Sequence, residues 1–349
     1  MGGDENWMKL QDLANELGLS LTTVSRALND YPEVSNRTRA RVKGAAARMG
    51  YRPNVTARGL AIGEIGIIAI VVPKEPTSYL DPDITEFLAG LAEVFASVGQ
   101  DILIIQTAQD DRLQACKNII ESRRADAIVI CYPAPVDDSV RFLAGANFPF
   151  VVYGKSRTPV AHTWVDVDHR EAAFLSAVFL FERGHEKIAA IEGPAHFAFV
   201  EERMAGITCA FEQHGTQIDA SHMIKDMFCD SAGYQHTLRL LRQTSPPTGF
   251  VYGSLLSAIG GKRAIRELDL NDRIAVVTHD NAVPYLNPRS IFPRITITSF
   301  SIYKAARRVA QHVIRMMADN AVVETELWAP RLISVGQTRT NPSARQLPR

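Results

Sequence analysis

The sequence predicts a small all-α helix-turn-helix head followed by an α/β core of two lobes, each a parallel sheet flanked by helices. Apolar residues recur at helical spacing in short runs between Leu10 and Met49. Strand-like and helix-like segments then alternate from Ile65 to Ala318, the pattern of parallel sheets covered on both faces. The alternation runs through two consecutive series, which predicts two similar lobes with a cleft between them.

In the head, Leu10, Leu13, Ala14 and Leu17 form the stripe of a first helix. Gly18 suits the left-handed turn that ends it, and Ser20 is an N-cap for the next helix. Val24, Ala27 and Leu28 make the second stripe, and the small Ala14 lets the two helices approach. The opposite face of the second helix carries Leu21, Thr22, Ser25, Arg26 and Asn29. Arginine forks onto O6 and N7 of guanine, asparagine pairs with adenine, and Thr or Leu methyls touch the thymine methyl.

Residues 31–34 form a loop, and Ser35 caps a third helix with Val42, Ala45, Ala46 and Met49 inward. Between Ser20 and Ile62 there are eight basic residues (Arg26, Arg37, Arg39, Arg41, Lys43, Arg48, Arg52 and Arg58) against Asp30 and Glu33. The whole chain is balanced at 38 basic and 38 acidic residues, so positive charge is concentrated in the head. Such a local excess is the electrostatic footprint of a phosphate-binding surface. A small helical subdomain with a solvated basic face would carry the same stripes.

The segment 55–61 is a weak helix, because Gly59 costs about 1 kcal/mol relative to alanine. It is too short to hold a helix alone in water, but it would fold when paired with a copy of itself on DNA. An ordinary linker is the alternative.

In the body, residues 65–72 are predicted as a continuous apolar strand, 84–98 as an amphipathic helix and 101–106 as a strand. Helix 112–122, strand 127–131, helix 138–144 and strand 150–153 complete the first series. The second runs through helix 170–183, strand 188–191, helices 199–214 and 233–242, strand 250–252, helix 258–267 and strand 274–278. Strand 295–299 and helix 303–318 come last. In such sheets, ligands bind outside the carboxyl ends of the strands.

At 349 residues the chain is expected to hold more than one domain: a head at 1–50, a hinge or linker at 51–63 and a core at 64–349. The first eight residues lack the apolar stretch of a signal peptide, and no apolar run has the length of a membrane span. The four cysteines, Cys116, Cys131, Cys209 and Cys229, have no Cys-x-x-Cys spacing and read as reduced core residues. Neither Gly-x-Gly-x-x-Gly nor a P-loop is present, nor Gly-x-Ser-x-Gly, nor His-Glu-x-x-His among nine dispersed histidines. No cofactor, metal or catalytic residue is expected, and the chain is not read as an enzyme.

The head resembles the LacI-type (lactose/galactose repressor) family of bacterial transcriptional regulators. The matching runs are Leu-Ser-x-Thr-Thr-Val-Ser-Arg-Ala-Leu-Asn from Leu19, Val-Ser-x-x-Thr-Arg-x-Arg-Val from Val34 and Gly-Tyr-x-Pro-Asn-x-x-Ala-Arg-x-Leu from Gly50. The resemblance implies that Leu21, Thr22 and Arg26 read bases in the major groove. Ser20, Thr23, Ser25 and Asn29 complete that surface. It makes 55–61 the hinge helix, with Asn54, Ala57 and Arg58 at the DNA and Leu60 as the apolar wedge that unstacks a base step. The body is similar to the family's periplasmic-binding-protein-like core over about residues 63–336, in segments recurring in its sugar-responsive branches. These are Gly90-Leu91, Trp164-Val165-Asp166-Val167-Asp168, Arg183-Gly184-His185, Glu192-Gly193-Pro194-Ala195 and Arg203-Met204-Ala205-Gly206. By that similarity one lobe takes about 64–165 with a returning piece near 297–325, and the other takes about 166–294 with 326–340.

The same resemblance makes Arg203 the arginine that forks onto ligand hydroxyls or a carboxylate; a helix-surface salt bridge is its other reading. Asp280 keeps the first carboxylate of the family's Gly-Phe/Tyr-Asp-Asp segment, while Asn281 replaces the second; a helix N-cap is the alternative for Asp280. At Tyr252-Gly253-Ser254-Leu255 the chain departs from the usual Ala-Asn-Asp and loses both the amide and the carboxylate. Tyr79, Asp81, Tyr153, Lys155, Trp164, Phe197 and Phe199 are candidate wall residues of the ligand cleft.

The expectation is a cytoplasmic transcriptional regulator, a repressor, acting as a homodimer on a pseudo-palindromic operator. A small effector, a sugar, is expected in the inter-lobe cleft, coupled reciprocally to DNA. No membrane partner is expected. No heptad tail follows Gly336, so no tetramer built by a carboxyl-terminal coiled coil is expected. The rival readings are a solute-binding protein without a DNA role and a sugar-acting enzyme.

Overall fold

Gly18, with φ of 60°, ends the first helix of the head, α1 (Leu10–Leu17), by the left-handed turn its missing Cβ permits. This computed structural model describes residues 8–28, 30–51, 65–74, 82–318 and 322–334. The chain divides into two compact units, residues 1–66 and 67–349. In α2 (Leu21–Leu28) the Ser20 hydroxyl accepts from the Thr23 N–H at 3.1 Å. In α3 (Asn36–Met49) Ser35 accepts from Thr38 N–H at 3.2 Å. The stripes converge: Leu13, Ala14, Leu17, Val24, Ala27, Val42 and Ala45 form one buried cluster, closed by Val34 of the loop.

The larger unit holds two sheets. The first is built from β1 (Ile67–Pro73), α4 (Pro82–Ser97), β2 (Asp101–Thr107), α5 (Arg112–Glu121) and β3 (Ala127–Cys131). It continues through α6 (Asp138–Gly145), β4 (Phe150–Tyr153) and β5 (Thr163–Val167). The second is built from α7 (His169–Phe181), β6 (Ile188–Glu192), α8 (Ala198–Gln213), β7 (Met223–Lys225) and α9 (Asp230–Leu241). It continues through β8 (Gly249–Tyr252), α10 (Leu255–Glu267), β9 (Ala275–Asp280) and β10 (Thr296–Ser299). The chain then returns through α11 (Ile302–Ala318) and β11 (Thr325–Trp328) to β12 (Arg331–Ile333), the last of the described strands.

The strand orders are β11-β5-β4-β3-β1-β2 and β12-β10-β9-β8-β6-β7, so each lobe repeats the doubly wound order 2-1-3-4-5 and adds one late strand at its edge. The described strand pairs are parallel except β10 with β12. Each sheet is apolar on both faces, as a sheet covered by helices must be. In the first lobe, Phe87, Leu91 and Phe95 of α4 pack with Ala305, Val309 and Val313 of α11 on one face, and Cys116, Ile119, Val140 and Leu143 cover the other. In the second, α9 and α10 cover one face, and α7 and α8 the other.

Strands β5, β7, β11 and β12 were not anticipated from the sequence. They are three to five residues long, and three of them are edges, where pairing rather than apolar content defines the strand. The lobe boundaries also move. Residues 166–167 pair within β5 of the first sheet, 297–299 pair with β9 and β12 in the second, and 326–328 pair with β5 in the first. The crossings therefore fall near 168, 300 and 330 rather than at 165, 297 and 326. Backbone ladders set them, and apolar patterning does not report which sheet a ladder joins.

Candidate DNA-reading face and ligand cleft

On α2, Val24 and Ala27 are fully buried, which turns Leu21, Thr22 and Arg26 outward, all exposed. Ser20 and Thr23 lie at the start of the same face, and their hydroxyls bond each other at 2.8 Å. Ser25 is half-buried beside Arg26. Asn29, Asn54, Ala57, Arg58 and Leu60 lie outside the described residues.

Between Ser20 and Tyr51 the basic residues divide in two. Arg39 donates to the Tyr31 and Val34 carbonyls at 2.9 and 3.2 Å, Arg41 donates to the Leu17 carbonyl at 2.9 Å, and Lys43 pairs with Asp30 at 2.7 Å. These three fasten the loops around α3. Arg26, Arg37 and Arg48 are exposed and make no ion pair among the described residues, which leaves their charge for an external anion.

The cleft of the larger unit lies outside the carboxyl ends of both sheets. Its rim includes Pro73 ending β1, Tyr132 after β3, Tyr153 ending β4, Pro194 after β6, Gly253 after β8 and Asn281 after β9. These positions bracket the β1/β3 and β6/β8 switch points, where the crossover direction reverses. The cleft and its open mouth together enclose about 1040 Å³.

One wall is aromatic. Phe197 and Phe199 stack at 5.3 Å and 13°, and Phe199 continues onto Phe228 at 6.0 Å and 12°. Tyr132 reaches the stack from the other lobe, 5.7 Å from Phe199. Its backbone is left-handed, with φ of 52°, a conformation that costs a non-glycine residue free energy unless its surroundings hold it. Arg112 does so: its Nη2 donates to the Tyr132 carbonyl at 3.2 Å while Nη1 pairs with Asp137 at 2.7 Å. Asp137 also accepts from Ala134 N–H at 3.1 Å and Ser139 N–H at 3.0 Å. Burial alone would raise the Asp137 carboxyl, but Arg112 and these hydrogen bonds hold it below the usual carboxylate range.

The floor is a buried polar network. Arg203 donates from Nε to His169 Nδ1 at 3.2 Å and from Nη1 to the Gly253 carbonyl at 2.7 Å, with Glu192 Oε2 at 3.5 Å. Its guanidinium carbon lies 5.1 Å from the Phe199 ring centre. His169 Nε2 faces Asp166 at 3.3 Å. Burial lowers the pKa of His169 against the pull of Asp166, and burial with Arg203 and His169 nearby takes His279 well below its ordinary value. Burial pushes the Glu192 carboxyl up, opposed by Arg203.

The lobes also touch across the cleft. Ala198 N–H donates to the Pro133 carbonyl at 3.2 Å, Arg157 pairs with Glu201 at 2.8 Å, Tyr285 donates to the Pro82 carbonyl at 3.2 Å, and Asn281 donates to Asp83.

Of the anticipated cleft residues, Tyr153, Phe197, Phe199 and Arg203 meet on its lining. Three others do not line it. Lys155 is exposed and contributes its backbone N–H to Asp166 at 2.8 Å. Trp164 packs with the core on the far face of the first sheet, because successive residues of β5 alternate faces. Asp280 is the last residue of β9; its carboxylate accepts from Ala282 N–H and the Ser299 hydroxyl at 3.2 and 3.3 Å. It shapes the turn that places Asn281 on the lining. Tyr79 and Asp81 lie outside the described residues.

Sequence reasoning missed Tyr132, His169, Glu192, Phe228 and Asn281. Tyr132, Glu192 and Asn281 sit at strand carboxyl ends, a positional signal already present in the alternation. His169 and Phe228 carry no such signal.

The family of bacterial regulatory proteins of the lacI type matches residues 9–54, and the periplasmic binding protein-like domain matches 177–338. The chain is 35% identical over 345 residues to the HTH-type transcriptional regulator AglR of Rhizobium meliloti (strain 1021), covering 98% of this chain and 97% of that one. A lac repressor dimer bound to operator and the anti-inducer ONPF has the same fold, with a TM-score of 0.82 at 22% identity over 96% of this chain and 99% of that one. A transcriptional regulator CelR–cellobiose complex aligns with a TM-score of 0.69 at 20% identity, covering 96% and 99%. With a helix-turn-helix head, a cleft between two doubly wound lobes and likeness to a regulator along almost its entire length, this chain belongs to the LacI family and is a DNA-binding transcriptional regulator rather than an enzyme.

Proposed function

We propose that the chain is a cytoplasmic homodimeric repressor whose operator affinity is controlled by a sugar bound between its two lobes. The observation that carries the reading is the pairing of a stacked aromatic wall with an immobilised arginine at the carboxyl ends of both sheets. A sugar presents apolar ring faces and hydroxyl edges, and this cleft offers a surface for each. Arg203, His169, Asn281 and Ser254 are the polar contacts in this reading, with Tyr132, Tyr153, Phe197, Phe199 and Phe228 as the wall.

In the head, Leu21, Thr22 and Arg26 read base edges. Ser20, Thr23, Ser25 and Asn29 support that face, and the segment 51–63 serves as the hinge with Leu60 as wedge. Two-fold protein symmetry then requires a pseudo-palindromic operator. Because the cleft is bridged by contacts from both lobes, a ligand that alters those contacts shifts the lobe angle and hence the spacing of paired hinges.

The test is a melting-temperature screen of sugars with the full chain, followed by operator titration with each hit. A sugar that stabilises the chain and changes operator affinity supports the reading. Stabilisation without any change in operator affinity overturns the coupling, and no response to any sugar overturns the ligand class.

A further inference from the structure

We infer that Glu192 is a specificity-determining positioning residue: it neutralises Arg203 from behind, so the cleft takes an uncharged polyhydroxy ring and rejects phosphorylated or carboxylated ones. This rests on the reading of the cleft as a sugar site and narrows it.

The geometry begins at position 253. Gly253 lines the cleft and has no side chain, and a Cβ there would overlap Glu192 Oε2. The missing side chain is what lets the Glu192 carboxylate, itself 2% exposed and outside the lining, reach within 3.5 Å of Arg203 Nη1.

Arg203 is thereby committed on two of its three nitrogens: Nε to His169, and Nη1 to the Gly253 carbonyl and Glu192. An oxyanion is held best by two parallel N–H donors of one guanidinium, and here only Nη2 has no partner among the described residues. The two N–H groups of Nη2 diverge instead of forming a parallel pair with a second nitrogen, and they suit separate hydroxyl oxygens.

The surrounding charges point the same way. The lining contains Asp83, Asp166 and Arg203 as its charged residues, with His169. His169 accepts from Arg203 at one ring nitrogen and faces Asp166 with the other, the pattern of a neutral imidazole with one N–H. Arg157 pairs with Glu201, and Lys155 is exposed and off the lining. The amino end of α10 is closed by its own cap, Ser254 accepting from Ser257 N–H at 3.2 Å. With Glu192 behind Arg203, an incoming anion meets acidic groups and no uncompensated cation.

The experiment compares matched pairs on the full chain at constant ionic strength: mono- and disaccharides against their 6-phosphates and uronic acids, read by calorimetric titration. The parent chain is expected to favour the neutral member by about tenfold or more, and Glu192→Gln to narrow that preference. A second arm uses inorganic phosphate and melting temperature: phosphate leaves the parent unmoved and stabilises Glu192→Gln. Should Glu192→Gln fold poorly, Glu192→Ala combined with Gly253→Asn carries both arms. Anionic members binding the parent as well as neutral ones, or phosphate acting alike on parent and variant, overturns the inference. If no sugar binds, the sugar reading fails, and the phosphate arm still decides the role of Glu192.

Discussion

The Glu192 carboxylate fills the volume that any side chain at Gly253 would require. Glu192 ends β6 and Gly253 follows the neighbouring β8, at the switch point of the second lobe, so a change at one is felt at the other and at Arg203. Phe228 presses on the same spot from beyond α8, since a Cβ at Gly253 would also approach its ring to 2.8 Å.

Gly253→Ala should therefore destabilise the chain by about 1–3 kcal/mol through overpacking. Shortening Glu192 in the same chain should recover part of that loss, because the two residues share one volume. Thermal or urea denaturation of the two single variants and the double variant measures the coupling; strict additivity would show that the strain is relieved elsewhere.

Arg26→Ala removes an exposed fork from α2 without touching the buried Val24 and Ala27 beneath it. Discrimination between operator and random DNA should fall by about 1–3 kcal/mol, concentrated at one base pair of each half-site. A loss spread evenly over all sequences would instead mark Arg26 as a phosphate contact, and binding titrations on single-base operator variants separate the two.

Arg112→Ala strands the Asp137 carboxylate in a site where both partners are almost wholly buried. The expected cost is about 3–5 kcal/mol, with release of the left-handed turn at Tyr132 and loss of ligand response. The acid side follows from the lowered Asp137 pKa: its stabilisation is complete above the unfolded carboxylate pKa and is lost as pH falls through the lower folded value. Denaturation midpoints of parent and variant, measured down the acid limb, check both.

Burial disfavours the charged form of His169 and His279, and for His169 it outweighs the pull of its neighbour Asp166. Burial lowers both below 6.5, so above that pH the folded and unfolded chains are alike and neither residue contributes. As pH drops below 6.5 the unfolded chain takes up protons that the folded chain refuses, and stability declines by up to about 1.4 kcal/mol per pH unit for each. His279→Gln should flatten that decline in a pH series of denaturation midpoints, and an unchanged slope would show that protonation is accommodated in place.

Much of this protein was legible in one dimension. The periodic stripes of Leu13, Val24 and Val42 determine a head core because helical spacing already says which side chains share a face. The alternation from β1 to β9 likewise determines two doubly wound lobes, since a strand apolar on both faces has to be covered on both. Arg203, Phe199 and Tyr153 were reachable from their motif and strand-end positions. Only the tertiary structure decided that Asp280 serves a turn while Asn281 lines the cleft, that Trp164 belongs to the opposite face, and that Glu192 stands in for the side chain Gly253 lacks. The physical reason is range. Periodicity records which way a residue points within its own element, whereas a binding site is made where the ends of elements far apart in sequence converge, and there a shift of one residue exchanges a wall for a support.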